Sequence, residues 1–205
     1  IIEFVSKSDK FVPHFHIPMQ SGSDVLLQSM RRKYDKALYQ SRIEKIRELM
    51  PNCSIGVDVI VGFPGETDEI FEETYQFLVD LEVSYLHVFT YSERANTTAV
   101  KMKEVVPVPT RKERSKRLRI LSEKKKKAFY LKNEQQTEEV LFEADHEHGM
   151  MNGFTSNYVK VKAPYNPLIT NLVVPVKMTQ VDRDGLMKIE FIEKRQLTEL
   201  KHLTN

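Results

Sequence analysis

Three segments of the chain each consist of a short apolar run that ends in a polar turn, and the spacing between them leaves room for helices. They are HFHIPMQSGSD (His14 to Asp24), GVDVIVGFPGET (Gly56 to Thr67) and YLHVFTYSER (Tyr85 to Arg94). Strands that alternate with helices form parallel sheets, and α/β barrels place their chemistry at the carboxyl ends of such strands. The order of the three segments therefore predicts part of an α/β barrel with a site at that edge.

The middle segment gives the clearest strand signal. Ile55 to Val61 is a nearly continuous β-branched run, as expected of a strand buried on both faces. Before it, apolar residues at helical spacing from Tyr39 to Met50 predict a helix that ends at Pro51. After it, Thr67 or Asp68 is expected to cap a helix with an acidic first turn.

The composition changes after Pro109. A long basic helix is predicted at Thr110 to Lys132, and short strand candidates separated by Gly, Asn, Asp and Pro come after it. These candidates are Val140 to Phe142, Tyr158 to Val161, Leu172 to Met178 and Met187 to Phe191. The pattern predicts a small antiparallel β-barrel. We place the domain boundary near Thr137, so that residues 1–136 and 137–205 form separate domains.

Composition narrows the class of protein. Hydrophobic residues make up 40% of the chain, enough for globular cores. The most apolar stretch, Ile55 to Phe63, contains Asp58 and is far shorter than the roughly 20 residues of a membrane-spanning helix, so no membrane association is expected. The single cysteine, Cys53, excludes an internal disulfide framework and fits a cytoplasmic location.

The net charge of +2 conceals a segregation of charge along the chain. Glu66 to Glu82 contains no Lys or Arg, whereas Arg111 to Lys127 is crowded with both. Such a basic segment can follow the phosphates of a nucleic acid. A solvated helix face is the alternative, and the charge run by itself favours it.

The three strand-and-turn segments closely resemble the second half of the radical S-adenosylmethionine (SAM) barrel in the methylthiotransferase family. A later segment, GFTSNYVKV (Gly153 to Val161), resembles the RNA-binding TRAM domain that follows this barrel. The resemblance covers nearly the whole chain. It implies an α/β fold, namely the C-terminal half of a radical SAM (β/α) barrel, followed by a small antiparallel TRAM-like β-barrel. Because the family's cluster-binding cysteine triad is absent, we interpret the chain as the C-terminal portion of a larger enzyme and expect it to be inactive alone.

Within the family, GVDVIVGFPGET together with LHVFTYSER is most similar to the branch that modifies N6-threonylcarbamoyladenosine in tRNA. The resemblance implies 2-methylthiolation of this adenosine at position 37. The implied cofactors are SAM and, in the full-length enzyme, [4Fe-4S] clusters; the implied partners are the tRNA anticodon stem-loop and an electron donor. Three alternatives stay open: a family member that acts on a ribosomal protein, a non-catalytic RNA-binding module, and a half-barrel unrelated to SAM.

The resemblance also implies site residues. Those expected to bind SAM are Gln20, Ser21, Ser23, Arg32, Asp58, Ile60, Gly62, Tyr91 and Ser92. Those expected to contact the substrate or RNA are Arg94, Phe154, Tyr158, Lys160 and Lys162. No metal ligand is expected in this chain.

The residues themselves leave some of these roles open. The polar turn QSGSD can hydrogen-bond ribose hydroxyls, an arginine can bind a carboxylate, and aromatic and basic side chains together can stack and neutralise unpaired nucleotides. Ordinary βα turns and core packing are the alternatives. His14 and His16 share one face of a strand and suggest either a metal site or hydrogen-bonded imidazoles, and the resemblance favours hydrogen bonds. Ala95 to Ala99 departs from the family's Pro-Gly-Thr-Pro-Ala pattern, which puts that loop's conformation in doubt.

Overall fold

A computed structural model of the protein describes residues 1–192. By its internal contacts the chain divides into two compact units. The first comprises Ile1–Phe11 and Phe15–Lys126, and the second comprises Val12–His14 and the described residues from Lys127 onward. The assignment of residues 1–136 and 137–205 as separate domains stays a prediction.

The first unit is built on a three-stranded sheet. Its elements are α1 (Ile2–Val5), β1 (His14–His16) except His14, α2 (Asp24–Ser29), α3 (Lys36–Leu49), β2 (Ser54–Val61), α4 (Asp68–Asp80), β3 (Tyr85–Thr90) and most of α5 (Val108–Lys132). The strand order is β1-β2-β3, and β2 pairs with β3 in parallel. Gln20, just after β1, forms a parallel bridge with Val59 of β2. The alternating strand-and-helix pattern is thus confirmed.

The two faces of this sheet differ. Val57, Val59 and Val88 are buried on one face, in a core that includes residues of α3, α4 and α5. Because side chains alternate along a strand, the residues between them point to the other face. There Asp58 lies opposite His87, and Ile60 opposite Phe89, with partial or full exposure. On this second face, Ile60 and Phe89 lie near the carboxyl ends of β2 and β3.

Local signals fix the helix starts. The Thr67 hydroxyl accepts a hydrogen bond from the Ile70 amide at 3.3 Å, so Thr67 is the cap of α4. Asp35 caps α3 in the same way, accepting from Leu38 N at 2.8 Å. These caps satisfy amides that have no partner within the helix.

The acidic and basic stretches pair with each other in the first unit. Arg114 of α5 is buried and donates to the Glu66 carboxylate at 2.6 Å and to Asp68 at 2.5 Å. Arg117, one turn further on, donates to Glu72 at 2.9 Å. Neither expectation for the basic run holds at these two arginines, since they bind carboxylates of the same unit. The acidic and basic stretches, which are separate in the sequence, therefore form ion pairs with each other in the fold.

The second unit is a closed barrel. Its strands are β4 (Thr137–Glu147), β5 (Met150–Thr155), β6 (Lys160–Pro164), β7 (Val173–Val181) and β8 (Met187–Phe191). The order is β4-β5-β6-β8-β7, with antiparallel pairs except β6–β8, which is parallel. The small barrel is confirmed. β5 has no counterpart among the predicted strands, because its Asn152 and Gly153 resemble turn residues.

Candidate functional site

A cleft of about 640 Å³ lies at the carboxyl ends of β2 and β3 in the first unit. It is lined by these residues from the SAM and substrate predictions: Gln20, Arg32, Asp58, Ile60, Tyr91, Ser92 and Arg94. The chain segments that supply them are far apart in sequence. The parallel sheet brings them together, because the carboxyl ends of parallel strands share one edge.

Three arginines and one carboxylate set the charge of the cleft. Arg31, Arg32 and Arg94 line it, and none of their guanidinium groups forms an ion pair within the described residues. Asp58 is the acidic side chain in the lining. Guanidinium groups bind carboxylates and phosphates, whereas a carboxylate accepts from hydroxyls and ammonium groups. The cleft therefore suits a ligand that carries groups of both kinds.

Asp58 is held from the side of β1. His16 Nε2 lies 2.7 Å from Asp58 Oδ1, and the His16 ring meets the edge of the His87 ring at 5.0 Å. For His16 the expected hydrogen-bonded imidazole is found. No group of three or more His, Cys, Asp or Glu residues among residues 1–192 has a geometry for a metal ion. One oxygen of Asp58 is thus engaged, and the other can serve a ligand.

Gln20 occupies an unusual backbone conformation at the edge of the cleft. Its φ is 72°, in the left-handed region, and the residue is buried. Its amide donates to Asp58 O and its carbonyl accepts from Ile60 N, each at 2.9 Å. For a non-glycine residue this conformation costs about 1–2 kcal/mol. The two bonds to β2 offset that cost and fix Gln20 beside Asp58 and Ile60.

Tyr91 contributes a hydroxyl without a partner. The Tyr91 Oη atom is buried, and within the described residues nothing hydrogen-bonds to it. The residue lines the cleft, and its ring packs edge-on against Phe63 at 5.5 Å. A buried hydroxyl without a partner costs about 1–3 kcal/mol, so a polar group in the cleft would relieve that cost.

Three residues expected to bind SAM do not line the cleft. Ser21 is buried, with its hydroxyl 3.3 Å from that of Thr74, and Ser23 is buried at the start of α2. Gly62 has a φ of 76° and donates its amide to Glu66 at 2.9 Å. Burial also raises the pKa of Glu66, against the opposing effects of Gly62 and Arg114. The ligand-binding roles of Ser21, Ser23 and Gly62 stay predictions.

Sequence reasoning missed several residues around the cleft. Phe63 and Phe89 line it and supply apolar surface. The two-residue period of β3 places Phe89 on the same face as His87, so the sequence pattern could have identified Phe89 as a residue of this face. Arg31 also lines it, with a φ of 57° that no sequence signal indicates. Buried Arg111 lies behind the cleft, and a charged residue in a basic run is usually assigned to the surface.

The second unit presents aromatic and basic side chains on one turn. Tyr158 has a φ of 65° and is 46% exposed, and its ring lies 5.4 Å from that of Phe154. Lys160 Nζ is 5.8 Å from the Phe154 ring centroid. Neither ring is buried, so core packing, the alternative role for these aromatic residues, is not observed. Lys162 instead contacts the Asp184 carboxylate at 3.3 Å.

The chain's cysteine does not suit an iron–sulfur cluster. Cys53 is fully buried in the core of the first unit, and burial raises the pKa of its thiol to about 11. Cluster ligands are thiolates, usually several together. Buried Cys53, the one cysteine of the sequence, therefore does not suit a [4Fe-4S] cluster. No helix within residues 1–192 is long and apolar enough to cross a bilayer.

Comparisons with known proteins agree with the fold. Residues 1–78 match the model of the radical SAM superfamily. The chain is 40% identical to the threonylcarbamoyladenosine tRNA methylthiotransferase of Bacillus subtilis, over 87% of this chain and 40% of that protein. It is 41% identical to the tRNA-2-methylthio-N(6)-dimethylallyladenosine synthase of Bacillus pumilus, over 94% of this chain and 39% of that protein. The chain thus spans about two fifths of the length of these curated relatives.

A solved structure of coproporphyrinogen III oxidase from Escherichia coli, described as a radical SAM enzyme, aligns with 91% of this chain and 47% of its own. Its TM-score of 0.47 and 14% identity are too low to add to the assignment. The assignment rests on the curated relatives, the superfamily match, and a parallel sheet with a separate small β-barrel. The chain belongs to the radical SAM methylthiotransferase family.

Proposed function

We propose that this chain is part of an enzyme that 2-methylthiolates N6-threonylcarbamoyladenosine at position 37 of tRNA. The observation that carries the proposal is the mixed charge of the cleft, in a chain of this family: three arginines that form no ion pair within residues 1–192 line it together with one oriented carboxylate. SAM carries a carboxylate, an ammonium group and ribose hydroxyls, so it matches both kinds of group. When bound, SAM supplies the radical and methyl-transfer chemistry, and the protein supplies binding and orientation.

The cleft residues divide between these groups of SAM. Arg32 binds the methionine carboxylate, for which its planar guanidinium is suited. Asp58, oriented by His16, accepts a hydrogen bond from a ribose hydroxyl or the ammonium group. Ile60 and Phe63 supply apolar surface beside the adenine, and Ser92 adds a hydroxyl. Ser21, Ser23 and Gly62 shape the turns that carry these residues.

The number of arginines favours the threonylcarbamoyl branch. Relatives named for either modified adenosine match at nearly the same identity, so the names do not choose between substrates. One arginine serves the SAM carboxylate, which leaves guanidinium groups for a second anion. The threonylcarbamoyl group ends in a carboxylate, whereas a dimethylallyl group has no charge. We assign Arg94 to this carboxylate, because it follows β3 at the mouth of the cleft.

The second unit serves as the RNA-binding, TRAM-like domain in this proposal. Phe154 and Tyr158 stack unpaired bases of the anticodon stem-loop, Tyr158 on the ring face opposite the one that stacks on His14 at 3.9 Å, and Lys160 neutralises a phosphate. Lys162 can contribute once its contact with Asp184 opens. The domains are residues 1–136 and 137–205.

The cluster requirement is met elsewhere in the enzyme. Since Cys53 is buried and is the chain's one cysteine, the [4Fe-4S] clusters need ligands that this chain does not supply. We expect iron–sulfur reconstitution of this chain alone to give no stable cluster absorbance and no activity. An electron donor completes the system, and the reaction takes place in the cytoplasm.

The branch assignment is tested with the full-length enzyme, loaded with clusters and SAM. Equal amounts of tRNA bearing threonylcarbamoyladenosine or dimethylallyladenosine compete in one reaction, and nucleoside mass spectrometry counts each product. We expect methylthiolation of the threonylcarbamoyl form. An Arg94→Met enzyme should lose that preference. Product on the dimethylallyl form by the unaltered enzyme overturns the branch, and product on a ribosomal protein instead of tRNA overturns the substrate class.

A further inference from the structure

Arg111 fixes the turn after β3 from behind the cleft. It is 3% exposed, and its guanidinium makes hydrogen bonds in three directions. Nε donates to Val106 O at 2.7 Å, Nη1 to Tyr91 O at 3.0 Å, and Nη2 to the Glu93 carboxylate at 2.7 Å. The bond from Arg111 also lowers the pKa of Glu93. A buried arginine with this many partners restrains each of them.

The same side chain touches the turn after β2. A Cβ placed on Gly62 would lie 2.3 Å from Arg111 Cγ, so the arginine stem fills the space beside this glycine. Gly62 follows Ile60 and Val61 at the end of β2. One side chain of α5 therefore supports both strand ends that form the cleft.

Arg111 also holds the ring of Tyr91. Its guanidinium carbon lies 5.3 Å from the ring centroid, while Nη1 holds the carbonyl of the same residue. Tyr91 is thus restrained at two points. Its buried hydroxyl, which lacks a partner in the described residues, is the part left to act on a ligand.

We propose that Arg111 is a positioning residue, which holds Tyr91 so that the tyrosine hydroxyl hydrogen-bonds the nucleoside part of SAM. The inference rests on the proposed function, since it takes SAM as the ligand of the cleft. Arg111 itself does not touch the ligand. It acts through Tyr91, and its loss weakens SAM binding by releasing that ring.

The test is a double-mutant cycle on SAM affinity in the full-length, cluster-loaded protein, measured by equilibrium dialysis. We expect Tyr91→Phe to weaken binding about tenfold, the value of one buried hydrogen bond. Arg111→Met should weaken it by a similar factor. Because both changes remove the same contact, the double variant should bind no more weakly than the worse single variant. Arg111→Lys keeps the charge but loses the fork and should fall between wild type and Arg111→Met.

Arg117→Met is the matched control. Arg117 lies on the same helix but pairs with Glu72 and covers Phe71, away from the cleft lining. It should lower the thermal midpoint without changing SAM affinity. If Arg111→Met does not fold, the double-mutant cycle with Tyr91→Phe is measured with Arg111→Lys and with Glu93→Gln in its place.

Two results overturn the inference: unchanged SAM affinity in Arg111→Met or Arg111→Lys protein of lowered stability, or fully multiplicative losses in the double variant. A wild-type protein that binds no SAM refutes the proposed function instead. Wild-type binding that Tyr91→Phe leaves unchanged refutes this inference alone.

Discussion

The two units build their candidate sites in different ways. The cleft of the first unit collects side chains from three strand ends and depends on the sheet that joins them. The aromatic surface of the second unit lies within a few consecutive residues, Phe154 to Lys160, on one turn of the barrel. The first site is therefore sensitive to packing behind it, whereas the second is sensitive to the side chains themselves. Substitutions should separate these two kinds of dependence.

The largest effect is expected from filling the space behind the cleft. Gly62→Ala should destabilise the chain by about 3 kcal/mol, since the new methyl group meets Arg111 and the φ of 76° disfavours alanine. Gly149→Ala is the matched control in the second unit, with a φ of 74° and open space around it. It should cost only about 1 kcal/mol. Urea denaturation of both variants measures the difference, and equal losses would show that packing against Arg111 is unimportant.

Removing an aromatic ring from the second unit should weaken RNA binding and leave SAM binding unchanged. Tyr158→Ala is expected to weaken tRNA binding by about 2 kcal/mol, the value of one stacked base. Tyr165→Ala removes another exposed ring of the same barrel and serves as control. Fluorescence anisotropy with labelled anticodon stem-loop measures both in the full-length protein. Equal losses for the two tyrosines would place the RNA surface elsewhere.

For the cleft we expect the opposite pattern, in which a substitution weakens SAM binding and leaves tRNA binding unchanged. Asp58→Asn should weaken SAM binding about tenfold, because the neutral amide oxygen is a weaker acceptor than the carboxylate, and should not change tRNA affinity. Isothermal titration of the full-length, cluster-loaded enzyme measures the SAM affinity, and fluorescence anisotropy measures the tRNA affinity. Simultaneous loss of both affinities would mean that the two sites do not act separately.

The smallest effect concerns the surface pairing of α4 with α5. The hydrogen bond from Arg117 lowers the pKa of Glu72, so this pair contributes stability above the carboxyl's unfolded pKa and loses it as the pH falls through the folded one. Glu72→Gln should thus lower the thermal midpoint slightly at neutral pH and have no effect well below about pH 4. Glu69, exposed on the same helix and without an ion pair in the described residues, gives the comparison Glu69→Gln; a hydrogen bond from Thr67 lowers the pKa of Glu69, so this variant reports the helix cap rather than the pairing with α5. An equal effect of Glu72→Gln at both pH values would exclude the pairing as its cause.

The sequence predicted these two units unequally well. The β-branched run Ile55 to Val61 and the apolar spacing of α3 are local signals, and the structure confirms the strand and the helix that they predict. β5 was missed because Gly153 serves a close strand approach, where a Cβ would lie 2.8 Å from Leu141 O, and such a need appears only in the folded barrel. Arg111 and Arg114 were missed for a related reason. Their partners, Tyr91 and Glu66, are distant in sequence, so nothing local distinguishes them from solvated charges.

The cleft shows the same limit. Asp58, within β2, and Arg94, shortly after β3, were predicted because they belong to a recognised strand-and-turn pattern. Ser21 belongs to that pattern too, yet it contacts Thr74 rather than the cleft, because successive residues of a turn point in different directions. Which residues of a polar turn face a ligand is decided by backbone angles such as the φ of Gln20, and these follow from pairing with β2.

Nucleoside mass spectrometry of tRNA from cells with and without the full-length gene tests the proposed function most directly. We expect the methylthio form of threonylcarbamoyladenosine to disappear on deletion while threonylcarbamoyladenosine without the methylthio group accumulates, and a wild-type copy to restore it. Unchanged tRNA nucleosides in the deletion strain would refute the proposed function.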